Sequence, residues 1–394
     1  MAAPAPERQA RAVLASGLVL LVAMLLAGWI GERGREARAA RHLALFSGEP
    51  SVRVRLTAFG RRDVNVEARG LEVARGDGDW TESGRSLRVG ARDGLPVLDG
   101  EVAETPCRLR SRDGVLELDG MRYPGVLNLR SDPNRGLVFI LEVPLETYLS
   151  CVLPREMPLA SDEAALEAQS IAARSYVVAT MLRRREAAWD VVDTEASQVF
   201  GALDGLAETA RRTVDRTTGV VLAEGEEVLP AYFSATCGGH TRSNGVAFGE
   251  RARPALAGTR CGFCDGASDH HWQRRIEPGA LRRLAGGEAV RSVIVVGDGS
   301  RGADGRLRLT TASGRSLEIG ARELRGALGS KRLRSTWFTG AEIRDGALIV
   351  SGRGFGHGVG LCQNGARAMA LAGRDAREIL EHYYPGAELV TVGE

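Results

Sequence analysis

A carboxylate set between two prolines is the first feature of this sequence that could do chemistry. In "CVLPREMPLASDEAA", residues 151 to 165, Glu156 lies between Pro154 and Pro158. Pro154 fixes its own φ, and Pro158 biases Met157 toward an extended backbone. The sequence therefore predicts a stiff loop, with Glu156 in it and outside the helix that follows. A side chain with few backbone states to lose suits a group that must meet a reacting atom within hydrogen-bond reach. The plainer alternative is a surface glutamate in a turn. Glu146 and Glu163 are the nearby rivals, but both fall on expected helices, where solvent or capping roles account for them. Arg155 would depress the pKa of a carboxylate beside it, so it is expected to point elsewhere.

Three other groups carry usable chemistry. Ser197 and Gln198, in "DTEASQVFGA", offer neutral donors and acceptors; a polar turn is the alternative. His357 stands between glycines in "GRGFGHGVG". Glycine lets backbone approach a ligand closely and also permits positive φ, so a binding loop and a tight turn are both open. "CGGH" at 237–240 and "CGFC" at 261–264 place Cys237, His240, Cys261 and Cys264 at spacings suited to tetrahedral zinc. Four protein ligands would make such an ion structural, a staple on an irregular loop. A disulfide from Cys261 to Cys264, or from Cys237 to one of them, is the alternative in an oxidising compartment. His270 and His271 are possible replacements for His240. Cys107, Cys151 and Cys362 look scattered.

The elements that must position these groups point to an α+β fold. From Ser51 to about Leu141 short alternating runs such as "VRVRL" and "LVFILEV" read as half-buried strands, separated by turns such as "GDGD". Pro144 opens a short helix. Ser161 is the expected cap of a longer helix reaching about Trp189, with Leu166, Ala173, Val177 and Met181 on its core face. A further helix ends at Gly219. Residues 276–350 return to strands and a short helix, and a last helix stops before Pro385. The expected architecture is two β-rich lobes flanking a helical segment, with a cleft between them. The expected divisions are 1–45 (anchor and tether), 46–121 (a β-rich front lobe) and 122–394 (the region holding the candidate residues).

The whole chain narrows the function classes. A net charge of +2 over 394 residues gives no reason to expect nucleic-acid binding. Nearly every cation is arginine, Lys331 being the single lysine. Val13–Ile30 is an apolar run near the minimum length for a membrane helix. A retained anchor and a cleaved signal peptide both fit, and the length and the poor cleavage context favour the anchor. Either way the folded part is expected outside the cytoplasm, facing the periplasm or another extracytoplasmic space.

Three long motifs also occur in a recognisable order. "VPLETYLSCVLPREMPLASDEAALEAQSIAARSYVV", "DTEASQVFGA" and "SGRGFGHGVGLCQNGARAMALAGRDAREILEHYYPGAEL" resemble the signatures of the stage II sporulation protein D (SpoIID)/LytB family, over roughly residues 122–390. The resemblance implies a peptidoglycan lytic transglycosylase whose catalytic glutamate is Glu156. It implies that Ser197, Gln198, His357 and Gln363 line the glycan groove. The family's usual serine before that glutamine is Cys362 here, not read as a thiol nucleophile. Some members carry zinc from cysteine and histidine at the loop around Cys237. The LytB name implies another possibility, a non-catalytic peptidoglycan-binding module that enhances a partner amidase. For the enzyme reading, Glu156 should be partly buried with a raised pKa, close to the Gly-His-Gly loop.

Overall fold

The computed structural model describes residues 50–60, 62–203, 207–296, 304–329 and 332–391. The apolar run Val13–Ile30 lies outside these residues. No helix among those described is long and apolar enough to cross a membrane.

Alternation builds the front of the molecule. In Ser51–Leu56, Val52, Val54 and Leu56 are buried while Ser51, Arg53 and Arg55 face outward. This strand pairs antiparallel with Gly136–Pro144, from Ser51 opposite Pro144 to Leu56 opposite Phe139. Gly136–Pro144 lies inside a seven-stranded sheet, so Leu137 to Leu141 are buried without alternation. A six-stranded sheet, which includes Val64–Glu67, Ser86–Arg92 and Val115–Leu118, shares the same apolar core. Its hairpins turn at Asp93-Gly94, Asp99-Gly100 and Asp119-Gly120, with positive φ at both residues of each pair. Asp-Gly is the composition such tight turns require.

The expected division between residues 121 and 122 is not a break in packing. The strands Ser51–Leu56, Cys107–Ser111, Val126–Asp132 and Gly136–Pro144 are members of one sheet. Apolar residues from Val52 to Tyr384 form one continuous cluster. Sequence reading located the strands but not their long-range partners, which join the two sides of that boundary.

The helices lie on this frame: α1 (Leu145–Glu156), α2 (Glu163–Arg183), α3 (Glu208–Arg216), α4 (Asn244–Phe248), α5 (Pro278–Leu284), α6 (Ala321–Leu328), α7 (Gln363–Leu371) and α8 (Ala376–Tyr383). α2 is central and packs against α1, α3, α7 and α8. It is buried on nearly every side by small residues such as Ala165, Ala168, Ala172 and Ala173. Its cap is Asp162, whose carboxylate accepts from Ala164 N–H at 3.1 Å, one residue after the expected Ser161. α2 ends at Arg183, short of Trp189.

A second core belongs to residues 272–350. There His271–Ile276, Phe338–Arg344 and Ala347–Arg353 form one three-stranded sheet, and Val290–Val296, Arg306–Thr311 and Ser316–Gly320 another, beside α5 and α6. This lobe is inserted between Cys264 and Cys362. The α+β class and the flanking β-rich parts are as the sequence led us to expect.

Candidate active site

Glu156 is not in a loop. It is the last residue of α1, and Pro154 lies inside the final turn. Met157, before Pro158, ends the helix at φ −139°, ψ 138°. The pre-proline restriction acted as expected, but one residue later than a loop around Glu156 would need. Pro154 has no N–H to donate to the Ser150 carbonyl one turn earlier, so the final turn of α1 lacks that intrahelical bond.

Glu156 Oε1 accepts the Val199 backbone N–H at 2.8 Å. Gln363 supplies a side-chain hydrogen bond to the same carboxylate. Both favour the ionised form. Burial outweighs them, and with the nearby negative charge of Glu195 the net effect raises the pKa. Arg155 turns away, donating to the carbonyls of Cys151 at 3.0 Å and Ala202 at 3.2 Å. A side chain at Gly201 would overlap the guanidinium, so glycine leaves the room Arg155 needs.

The rival carboxylates are otherwise engaged. Glu146 receives two bonds from Arg174, at 3.0 and 2.7 Å. Arg174 is fully buried and also donates to the carbonyls of Val214 and Val220. It joins α1, α2, the end of α3 and the strand Val220–Glu224. Glu163 pairs with Arg216.

Ser197 and Gln198 have different surroundings. Ser197 is partly exposed; its hydroxyl accepts from Val192 N–H at 3.2 Å and bonds Tyr176. Gln198 is fully buried. Its Oε1 accepts from the Tyr148 hydroxyl at 3.0 Å and its Nε2 donates to the Ala173 carbonyl at 3.2 Å. The structure thus places Gln198 inside the protein, in contact with α1 and α2, where its side-chain bonds hold the backbone just before Val199. The expected glycan contact does not suit this position.

His357 is also held by backbone. Its Nδ1 accepts from Val359 N–H at 3.0 Å, and the Phe233 backbone supplies a second bond. Burial drives its pKa down to about 4, so the ring is neutral. Rings run in sequence from Ser197 toward His357. Tyr176 meets Tyr232 at 5.6 Å, Tyr232 meets Phe248 at 4.7 Å, and Phe248 meets His357 at 5.2 Å. Gln363, the first residue of α7, follows the Gly-His-Gly loop and the strand Leu361–Cys362 in the chain. Gln363 Nε2 also donates to Gln169 Oε1 at 3.3 Å. Gln169 on α2 and the Val199 N–H were missed by sequence reading.

The cysteines regroup. The thiols of Cys237, Cys261, Cys264 and Cys362 lie within 4.8 Å of one another. His240 is not among them: its Nδ1 faces the Thr241 carbonyl, and its backbone forms a bridge with Arg260. Gly238 and Gly239, at φ 79° and 107°, turn the chain between Cys237 and His240, so the close spacing does not bring both side chains to one point. His270 Nδ1 lies 3.1 Å from the Cys264 carbonyl oxygen and 3.4 Å from its thiol. All six cysteines are free, so neither disulfide expected as an alternative is formed.

This geometry can be compared with known proteins. The family described as "Stage II sporulation protein", SpoIID, matches residues 134–223, from the strand before α1 to the strand after α3. An uncharacterized protein of Brachyspira hyodysenteriae is 31% identical over 305 residues, covering 76% of this chain and 80% of its own. The chain belongs to the SpoIID family. A stage II sporulation protein D of Bacillus amyloliquefaciens is 27% identical over 63% of this chain and 74% of its own. A Bacillus subtilis protein named amidase enhancer is 26% identical over 70% of this chain and 45% of its own. The SpoIID match contains Glu156, Arg174, Ser197, Gln198 and Val199. Tyr176 also lies within it, whereas Tyr232, Phe248, His357, the four clustered cysteines and Gln363 lie beyond it.

Proposed function

We propose that this protein is a lytic transglycosylase that cuts the glycan strands of peptidoglycan between MurNAc and GlcNAc, leaving 1,6-anhydroMurNAc ends. The observation that carries this reading is the setting of Glu156: partly buried, held at one oxygen by Val199 N–H, and biased toward its protonated form. An acid with a raised pKa can donate a proton to a leaving glycosidic oxygen near neutral pH.

One carboxylate suffices if the substrate supplies its own nucleophile. Protonated Glu156 gives its proton to the glycosidic oxygen as the bond to C1 of MurNAc breaks. The resulting carboxylate takes the proton of the MurNAc 6-hydroxyl as that oxygen attacks C1. The internal ring closes, Glu156 is again protonated, and no water is consumed. Hydrolases that use water or a covalent intermediate need a second carboxyl group. Val199 and Gln363 fix the acid's position during both proton transfers. Tyr176, Tyr232 and Phe248 offer apolar faces, and Ser197 a hydroxyl, for sugar rings beside it.

Incubating the soluble part with purified glycan strands, with and without stem peptides, tests this reading. Anhydro ends should appear with the native protein and be lost with Glu156→Gln. No anhydro product on either substrate would sink it. The name of the Bacillus subtilis relative supports a second reading, in which the chain binds peptidoglycan and enhances a partner amidase without cutting glycan. Enhancement that survives Glu156→Gln would favour that alternative. In both readings Val13–Ile30 anchors the protein in a membrane, with the folded part facing the cell wall.

A further inference from the structure

Cys362 was set aside by sequence as an isolated residue, yet the fold brings it to the one place where its thiol has company of its own kind. Cys237, Cys261, Cys264 and Cys362 are each at most 3% exposed. Cys237 Sγ and Cys264 Sγ are 3.6 Å apart, and all four sulfurs fall within 4.8 Å of one another. Four thiolates around one zinc ion, at about 2.3 Å each, would lie roughly 3.8 Å apart. The donor set therefore fits zinc.

The surroundings fit bound thiolates as well. Cys362 Sγ accepts from Cys237 N–H at 3.3 Å and from Gly365 N–H at 3.4 Å. The Tyr383 hydroxyl lies 3.1 Å from Cys261 Sγ. Such donors offset the excess negative charge of a tetrathiolate and orient its sulfurs. Cys362 also caps α7, whose first residue is Gln363. A methyl group at Gly365 would overlap the Tyr383 hydroxyl and come within 2.9 Å of Cys261 Sγ. Glycine thus allows α7 to approach the cluster.

We propose that Cys237, Cys261, Cys264 and Cys362 hold one Zn2+ ion, and that Cys362 thereby ties the start of α7, with Gln363, to the loop bearing the other three thiols. Each thiol loses its proton on binding, so the ion displaces four protons to solvent. The assignment replaces His240 by a residue about 120 positions further along the chain. It makes the ion a clamp between two segments, where ligands from one loop alone would only shape that loop. The tie to Gln363 extends the proposed role of Glu156, but the ligand assignment stands or falls separately.

The full chain, purified under reducing conditions with added Zn2+, should contain one metal per protein by elemental analysis. Exchange for Co2+ should give the intense visible bands of tetrahedral cobalt and strong sulfur-to-cobalt charge transfer. His240→Ala should keep both signals. Cys362→Ser should weaken metal affinity about tenfold or more. Hydrogen exchange across residues 361–371 should quicken when a chelator removes the ion from the native protein. The three native-chain measurements, of metal content, cobalt spectrum and hydrogen exchange, do not depend on a variant folding. Absence of metal with full thiol counts overturns the proposal. So does loss of metal in His240→Ala with retention in Cys362→Ser. Unchanged exchange at α7 after chelation overturns the tie. None of these readouts requires glycan cleavage, so failure of the catalytic reading would leave them interpretable.

Discussion

The backbone N–H of Val199 donates to Glu156 Oε1 at 2.8 Å, joining the last residue of α1 to a loop 43 residues further along. Gln198, just before Val199, is locked between Tyr148 and Ala173. The acid is thus positioned by a main-chain group whose own position is set by a buried side chain. Stacking of Phe200 on Tyr148, with centroids 5.3 Å apart, holds the other side of Val199.

Glu156→Gln should lower glycan cleavage by about 10²- to 10⁴-fold, the usual contribution of a positioned acid and base. The same variant should be more stable than the native protein at neutral pH. A carboxyl group whose folded pKa is raised gives stability that is complete below its unfolded pKa and is lost as pH rises through the folded value. Burial raises that of Glu156, so the stability gap should close below about pH 4. Denaturant melts across pH 3.5 to 8 would show it; a gap independent of pH would count against the buried acid.

Gln363→Leu should push the Glu156 pKa further up, because it removes a donor to the carboxylate. The alkaline limb of the cleavage profile should then move to higher pH, with a smaller loss of rate than in Glu156→Gln. A limb that stays in place would separate Gln363 from the acid.

Gln198→Leu should destabilise the fold by about 1–3 kcal/mol through the unpaired Tyr148 hydroxyl, while the Ala173 carbonyl keeps its bond within α2. Its effect on cleavage should appear in kcat, through Val199, with KM little changed. A rise in KM alone would restore the direct glycan contact that its burial argues against.

Arg174→Ala should cost roughly 3–5 kcal/mol, since it leaves Glu146 unpaired in a largely buried site. Urea titration should show the loss. Glu146→Gln should be milder, and its folded fraction should cut glycan at the native rate, which would dismiss Glu146 as an alternative acid.

His357 makes the protein sensitive to acid. Its folded pKa of about 4 lies below the ordinary histidine value, because burial disfavours the charged ring. Such a group supports stability above its unfolded pKa and loses it as pH falls from about 6.5 to 4, by up to about 3 kcal/mol. His357→Gln should flatten this part of the stability curve. A His357 proton signal titrating near pH 6.5 would contradict it.

Local signals carried much of the site and little of its wiring. The strands alternated, Asp-Gly marked the hairpins, and Pro158 set the extended residue after α1. The glutamate was found, but its place in the last turn was misjudged because proline usually reads as a helix breaker. Gln198 looked like a surface residue because a polar side chain gives no sign of buried partners elsewhere in the chain. Cys362 stood alone because its company comes from segments about 100 or more residues earlier. The Val199 contribution is main-chain, so no residue type could have announced it.

The lobe of residues 272–350 leaves and re-enters the rest of the molecule at neighbouring points. His271 is paired with Arg353, and Gly354 N–H reaches the His270 carbonyl at 3.1 Å. A short bridging turn could therefore replace the entire lobe without changing the distance the chain must span. The lobe also has a core of its own, joined to the rest by polar contacts such as those of Arg242 with Thr336 and Asp304. That makes it an exchangeable cassette. Exchanging it would leave Val199 and Gln363, the partners of Glu156, outside the replaced segment.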